Sequence, residues 1–283
     1  MKFYSKLLFI ILALNSGSAF GNEKKFDFTG SVETVFKRIE SLEDWDQSLT
    51  LAAQYIRKLE DADSKNRDLI AGYEAYAILL HDYALDTDYL DPAEKSLTFY
   101  KKAYQLAAQI IGSLSEEYLR NLYLAATAYL DLGLMEDSEK ALELWREKSE
   151  EAGSPYDKYY NLSGWIAWER NEIELAAFYQ KKYLDLVSQT VDAPDEILGT
   201  ANYSYGITLS ELGKVEEALP FLISSIEHYK AGSDIHDLQV AYTSLATGYE
   251  LLGDFVNYEQ TLLSAVGELE KYLPEAVYIW LDA

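Results

Sequence analysis

Residues 201–229, ANYSYGITLSELGKVEEALPFLISSIEHY, decide how this chain folds. Tyr205, Gly206 and Leu209 fall on one face of a first helix, at spacings of one, three and four. Leu212 and Gly213 break that pattern. A second helix starts near Val215 and carries Ala218, Leu222 and Ser225 at spacings of four and three. A small residue opposite a large one lets the two helices of a hairpin close on each other and interlock. The arrangement recurs along the chain and predicts an array of helical hairpins.

Moving outward, residues 159–170 and 173–188 form a similar pair, hinged at Asn171, a residue that tolerates left-handed geometry. Residues 119–130 and 135–148 pair across Asp131-Leu132-Gly133, and residues 238–252 and 255–272 across Gly253. Nearer the N-terminus, AGYEAYAILLHDYAL returns as AEKSLTFYKKAYQLAAQII after a longer loop over residues 86–92, with Pro92 opening the return helix. In the first pair, Thr29-Gly30-Ser31 caps a helix whose stripe is Val32, Val35, Phe36 and Ile39. Its return helix, residues 45–59, turns Leu49, Ala52, Ala53, Ile56 and Leu59 inward. The aligned hinges are Asp91, Gly133, Asn171, Gly213 and Gly253, at spacings of 42, 38, 42 and 40 residues. A period of that length with two helices per unit signals a solenoid. Residues 31–273 form this repeat domain, and residues 274–283, PEAVYIWLDA, either cap its last hydrophobic edge or begin a longer architecture.

Composition agrees. The 283 residues include only five prolines, and no Gly/Ser tract divides them. Residues 1–21 read as a signal peptide: Lys2 and Lys6, the apolar run LLFIILAL, then Ser16, Gly17, Ser18 and Ala19. A retained anchor is the competing reading, but the run is short for a bilayer. Residues 22–30 are a polar lead-in. The formal charge of −24 becomes −26 once residues 1–21 and their two lysines are removed, since −24 − 2 = −26. Such an acidic product repels nucleic acid and anionic lipid. With no cysteine it forms no disulfide and takes no lipid through an N-terminal thiol. A soluble protein of the periplasm or the extracellular space is expected, without stable membrane insertion after cleavage.

These hairpins resemble tetratricopeptide repeats of a long, roughly forty-residue kind. The family's small residue in the first helix matches Gly206, Ala246, Ala126 and Gly164; the large residue three later matches Tyr249 and Tyr129, and more weakly Leu209 and Ala167. The hinge glycine matches Gly133, Gly213 and Gly253. Past the hinge, Ala176 and Ala218 fit the small position, Ser96 and Ser138 nearly so, and Tyr258 departs; later, Ala103 and Ala265 fit while Trp145 and Tyr183 depart. The likeness covers residues 31–272 and is strongest from Leu119 onward. It implies an all-α, right-handed α-solenoid of about six helix–turn–helix repeats, whose first helices line a concave groove. It further implies a non-enzymatic scaffold for protein–protein interaction, needing no cofactor.

By the same resemblance the groove carries Tyr123, Thr127 and Asp131, then Lys158, Asn161, Trp165, Trp168 and Glu169. Tyr203, Ile207, Ser210 and Glu211 follow, then Thr243 and Thr247. Asp131, Glu169 and Glu211 recur at one position as a ladder of acids beside aromatics. They suit a partner segment with basic or aromatic side chains. The alternative is that the acids form a solvated face and the aromatics pack between repeats. The Lys and Asn clamp with which some members grip a terminal carboxylate is absent, because its positions hold Tyr123 and Thr127, Asn161 and Trp165, Tyr203 and Ile207.

Signs of chemistry are few. His81, His228 and His236 show no zinc spacing and read as structural or surface histidines. The acidic turn DTDYLD, residues 86–91, lacks the glycine and the distal glutamate of a calcium loop. Asn161 and Asn202 head glycosylation patterns but lie inside predicted helices. No nucleophile elbow, phosphate loop or dinucleotide fingerprint occurs. Besides the protein-binding scaffold, two readings stand: a glycan or small-molecule binder or accessory subunit of an envelope enzyme, stacking ligand on Tyr123, Trp165, Trp168 and Tyr203; or one half of a larger system whose effector is another chain. Intact mass of the secreted product checks the leader: it is expected to begin at Phe20 or Asn22, and an uncleaved chain would refute export by this signal.

Overall fold

The computed structural model describes residues 26–42, 44–62, 66–87, 89–154, 157–232 and 235–271. The expected leader and residues 274–283 lie outside them. Among the described residues there are twelve α-helices and no strand. They fall into two compact units, Met1–Ser154 and Pro155–Ala283, each a stack of three helix–turn–helix repeats. No described helix is long and apolar enough to cross a membrane.

The first unit holds α1 (Val32–Glu40), α2 (Trp45–Asp61), α3 (Arg67–Thr87), α4 (Leu90–Ile110), α5 (Glu116–Asp131) and α6 (Met135–Ala152). Side chains start four of them: Ser31 Oγ accepts from Thr34 N, Asp44 Oδ1 from Gln47 N, Asn66 Oδ1 from Leu69 N, and Ser115 Oγ from Tyr118 N. Each takes up an amide that has no partner within the helix. Val32, Val35, Phe36 and Ile39 are buried, as their stripe requires. In α2 the buried face differs from the expected one. Ala52 and Ile56 are inside, but Leu49, Ala53 and Leu59 are half-buried, and Ser48 and Tyr55 take the interior. Ser48 is admitted because its hydroxyl donates to Ile39 O at 3.1 Å, and Tyr55 because its ring stacks on Phe28 at 5.5 Å.

The α3–α4 connection is shorter than expected. Helix continues to Thr87 and resumes at Leu90, so Asp91 is the second residue of α4 rather than a hinge. Pro92 is its third, in the first turn, where a missing N–H goes unnoticed.

The second unit holds α7 (Asp157–Glu169), α8 (Ile173–Gln189), α9 (Asp195–Glu211), α10 (Val215–Gly232), α11 (Ile235–Leu251) and α12 (Phe255–Leu269). Four hinges across the two units share one backbone device. Gly133, Asn171, Gly213 and Gly253 have φ of 73°, 61°, 73° and 71°. The amide after each reaches back five residues: Leu134 to Tyr129 O, Glu172 to Ala167 O, Lys214 to Leu209 O and Asp254 to Tyr249 O, at 2.8–2.9 Å. This closes the preceding helix with a left-handed residue, which glycine adopts freely and asparagine with little strain.

Two hairpins, α7–α8 and α9–α10, close where one helix lacks a side chain. A Cβ added at Gly206 would lie 2.9 Å from Leu222 Cδ2, and one at Gly199 would lie 2.7 Å from the Tyr229 ring. Leu222 and Tyr229 then join Leu209, Ala218, Ile226, Leu238, Ala241, Tyr242 and Leu245 in a core spanning α9, α10 and α11. Full burial of such a side chain contributes about 1.5–3 kcal/mol.

One repeat breaks the apolar rule. Gln180, a hinge-aligned equivalent of Leu142 and Leu222, is fully buried in α8, and a Cβ at Gly164 would meet its Cγ at 2.7 Å. Its Oε1 bonds the Thr208 hydroxyl of α9, which also bonds Ser204 O at 2.9 Å, while its Nε2 has no partner. A buried donor without an acceptor costs about 1–3 kcal/mol, whereas Thr208 keeps Ser204 O if Gln180 becomes apolar. Gln180→Leu is therefore expected to stabilise the protein by about 1 kcal/mol, read from urea unfolding midpoints; a loss of that size would show that the amide is satisfied and structural.

Candidate functional site

Within each unit the first helices of neighbouring repeats touch: α1 with α3, α3 with α5, and α9 with α11. The second helices pack against the next first helix, α2 on α3, α4 on α5, α8 on α9 and α10 on α11. The expected binding residues lie on the first helices at intervals of four, which keeps them on one face of each helix. Their surroundings sort them into two groups.

In the first unit the residues of α5 are engaged within the protein. The Tyr123 ring lies 5.6 Å from that of buried Trp145 on α6. Thr127 Oγ1 donates to Tyr123 O at 3.2 Å, inside its own helix. Asp131 Oδ2 lies 3.0 Å from His81 Nε2 of α3 and joins two repeats. The Asp131 carboxylate, 38% exposed, thus meets a shielded imidazole on one side and stays open to solvent on the other.

Sequence reasoning missed the second repeat's contribution. Matching the buried positions of α3 and α5 places Glu74 opposite the Tyr123 position. Its carboxylate accepts from Arg120 Nε and Nη2 at 2.8 and 3.0 Å and from Asn121 Nδ2 at 2.6 Å. Asn121 is fully buried. The signal available in the sequence was an acid in α3 and an Arg-Asn pair in α5, but nothing in the pattern said that they meet.

In the second unit Trp165, Trp168 and Glu169 of α7 keep surface open to solvent. Trp165 and Trp168 are half-buried, their rings edge-on at 6.1 Å. Lys158 and Glu169 are exposed at the two ends of the helix. Asn161 is half-buried, but its Oδ1 is shielded and has no hydrogen-bond partner. Glu169 and Glu211 form no ion pair among the described residues, and both are exposed.

On α9 the outcome is mixed. Tyr203 is corrected from a free anchor to a contact between repeats: it packs against the α9–α11 core and accepts from Ser244 Oγ of α11 at 3.5 Å. Burial pushes its phenol pKa above the ordinary value. Ile207 packs on the same core. Ser210, Thr243 and Thr247 give their hydroxyl protons to carbonyls of their own helices. The position of the three acids, two residues before each hinge, is held in α11 by Leu251, which is 65% exposed. That apolar rung was visible in the hinge spacing and went unused.

A shallow cleft of about 530 Å³ lies over α2, α3 and α4, floored by Tyr76 and Leu80 and rimmed by Asp46, Arg57, Asp91 and Lys95. His81 and His228 face Asp131 and Asp195 at 3.0 and 2.8 Å, and His236 lies exposed beside Asp237. No group of three or more His, Cys, Asp or Glu among the described residues is placed to hold a metal ion. Asn161 and Asn202 both lie inside helices, and Asn202 Nδ2 donates to Leu198 O at 2.8 Å.

No protein-family model matches the chain, and no curated protein matches it. Solved structures do, at the level of fold. BtubC (BKLC) from P. vanneervenii superposes with a TM-score of 0.64 at 16% identity, over 82% of this chain and 93% of that one. Aspartyl phosphate phosphatase F from Bacillus subtilis gives 0.60 at 13% identity, over 88% and 70%. The nearly identical TPR-like repeats of a putative kinesin light chain from Podosopora anserina give 0.51 at 12%, over 69% and 95%. The fold is thus a TPR-like helical solenoid.

Removing the Glu74 carboxylate leaves one N–H of the buried Asn121 amide without an acceptor, the other still donating to Glu117 O at 2.9 Å, and leaves Arg120 only Glu116 at 3.6 Å. Glu74→Ala is expected to destabilise the protein by about 1–3 kcal/mol, measured by urea unfolding. Glu74→Gln, which keeps an acceptor for Asn121, should recover part of that loss; equal losses in the two variants would show that the charge alone matters.

Proposed function

We propose that this protein is an exported, non-enzymatic scaffold that receives a segment of a partner protein along the first helices of its second unit. The observation that carries this reading is the open stripe on α7. Two half-buried indoles stand edge to edge, with the exposed Glu169, which has no ion-pair partner among the described residues, beyond them. Half-buried tryptophans with an acid at their margin are the composition of an interaction hot spot.

The partner inferred from these groups carries aromatic or aliphatic side chains for the indoles and a basic side chain for the acids. The formal charge of −26 expected of the mature protein strengthens the attraction at low salt and steers such a partner inward. The leader-like residues 1–21 support an encounter in the periplasm or outside the cell.

Mature protein from Asn22, immobilised beside a Trp165→Ala/Glu169→Lys/Glu211→Lys variant, tests the reading in envelope extract. A protein retained by the first and lost by the second, with retention falling as ionic strength rises, is the expected result. Equal retention by both places binding elsewhere. Retention of no protein, with a glycan or small ligand raising the unfolding temperature instead, replaces the scaffold by a ligand-binding protein.

A further inference from the structure

The last described repeat differs from its predecessor on the side where a following repeat would pack. Aligned at Gly213 and Gly253, Val215, Leu222 and Ile226 of α10 correspond to Phe255, Leu262 and Val266 of α12. In α10 these residues are 9%, 0% and 5% exposed, because α11 lies across them. In α12, Phe255 is 66% exposed, and Leu262 and Val266 are half-buried. Leu263 and Val256, 64% and 67% exposed, lie at the margin of this face, since their equivalents Ile223 and Glu216 stay exposed in α10 as well. The same amphipathic pattern is thus built twice and covered once.

An uncovered apolar stripe at the end of a solenoid favours aggregation, and terminal repeats ordinarily present a polar outer face. Here α12 has no such face. Its outer residues have the chemistry of an interior position, and an interior position needs an occupant.

We propose that residues 274–283 of this chain are that occupant. The segment PEAVYIWLDA carries six consecutive apolar residues, from Ala276 to Leu281, between Glu275 and Asp282. Only four residues separate it from the end of α12 at Leu269, about the length of an ordinary helix–helix connection. A helix opened by Pro274 brings Val277, Trp280 and Leu281 onto one stripe, at spacings of three and four. Tethering through so short a link gives an effective concentration on the order of millimolar, which favours this segment over a second molecule for the same face. The proposal concerns a different surface from the α7 stripe and does not depend on it.

The chain contains no cysteine, so a single thiol reports the face directly. Val266→Cys, whose equivalent Ile226 is buried in α10, is introduced into the full chain, alone and together with Val277→Asp/Trp280→Asp, and the rate of reaction with a bulky maleimide is compared. Labelling is expected to be about tenfold faster with the two aspartates, at a ratio independent of protein concentration. Equal rates overturn the proposal. So does protection that grows with protein concentration, which assigns the face to a second copy. A second variant guards against misfolding by the aspartates: in the full chain, Val266→Cys/Trp280→Cys should close an intramolecular disulfide on mild oxidation, and crosslinking only between molecules again overturns the proposal.

Discussion

The structure depends on helices approaching each other where one of them has no side chain. At Gly206, Gly164 and Gly199 a Cβ would stand 2.9 Å or less from the residue opposite. Close approach lets Leu222 and Tyr229 bury fully and brings α10 within reach of α11 as well as α9. The left-handed hinge residues serve the same end, since they reverse the chain in few residues and let the two helices meet over their whole length. Each unit is then extended by repeating one contact. No central core is assembled from distant parts of the chain.

A repeat built this way leaves one face of its first helix free, and the neighbours decide what happens to it. In the first unit the free positions are tied into the protein: Glu74 to Arg120 and Asn121, Asp131 to His81, Tyr123 to Trp145. Side chains so held keep the repeats in register. In the second unit, Glu169 and Glu211 have no such partner, and the indoles of α7 keep part of their surface open. The same position in the repeat thus serves cohesion in one unit and remains available for recognition in the other. The difference arises from single residues on adjacent helices.

Fold alone does not choose the function. The chain shares its architecture with BtubC and with an aspartyl phosphate phosphatase at 16% and 13% identity. A scaffold shared so widely carries its function in the side chains grafted onto it. The side chains that the second unit leaves open are the half-buried indoles of α7 and the exposed Glu169 and Glu211.

The sequence by itself determined the helical hairpins, their hinges at Gly133, Asn171, Gly213 and Gly253, and the small-to-large matching of Gly206 with Leu222. These features are local, set by the 3.6-residue period and by backbone conformations that few residues adopt. Only the tertiary structure decided that Asp91 is helical, that Gln180 is buried where other repeats have leucine, and that Tyr203 and Asp131 meet side chains of other repeats while Trp165 and Glu169 stay open. The physical reason is that an ion pair or a shielded hydrogen bond depends on a partner 28 to 50 residues away. The chain's periodicity fixes which face a side chain occupies, but the residue waiting opposite is set by packing between repeats.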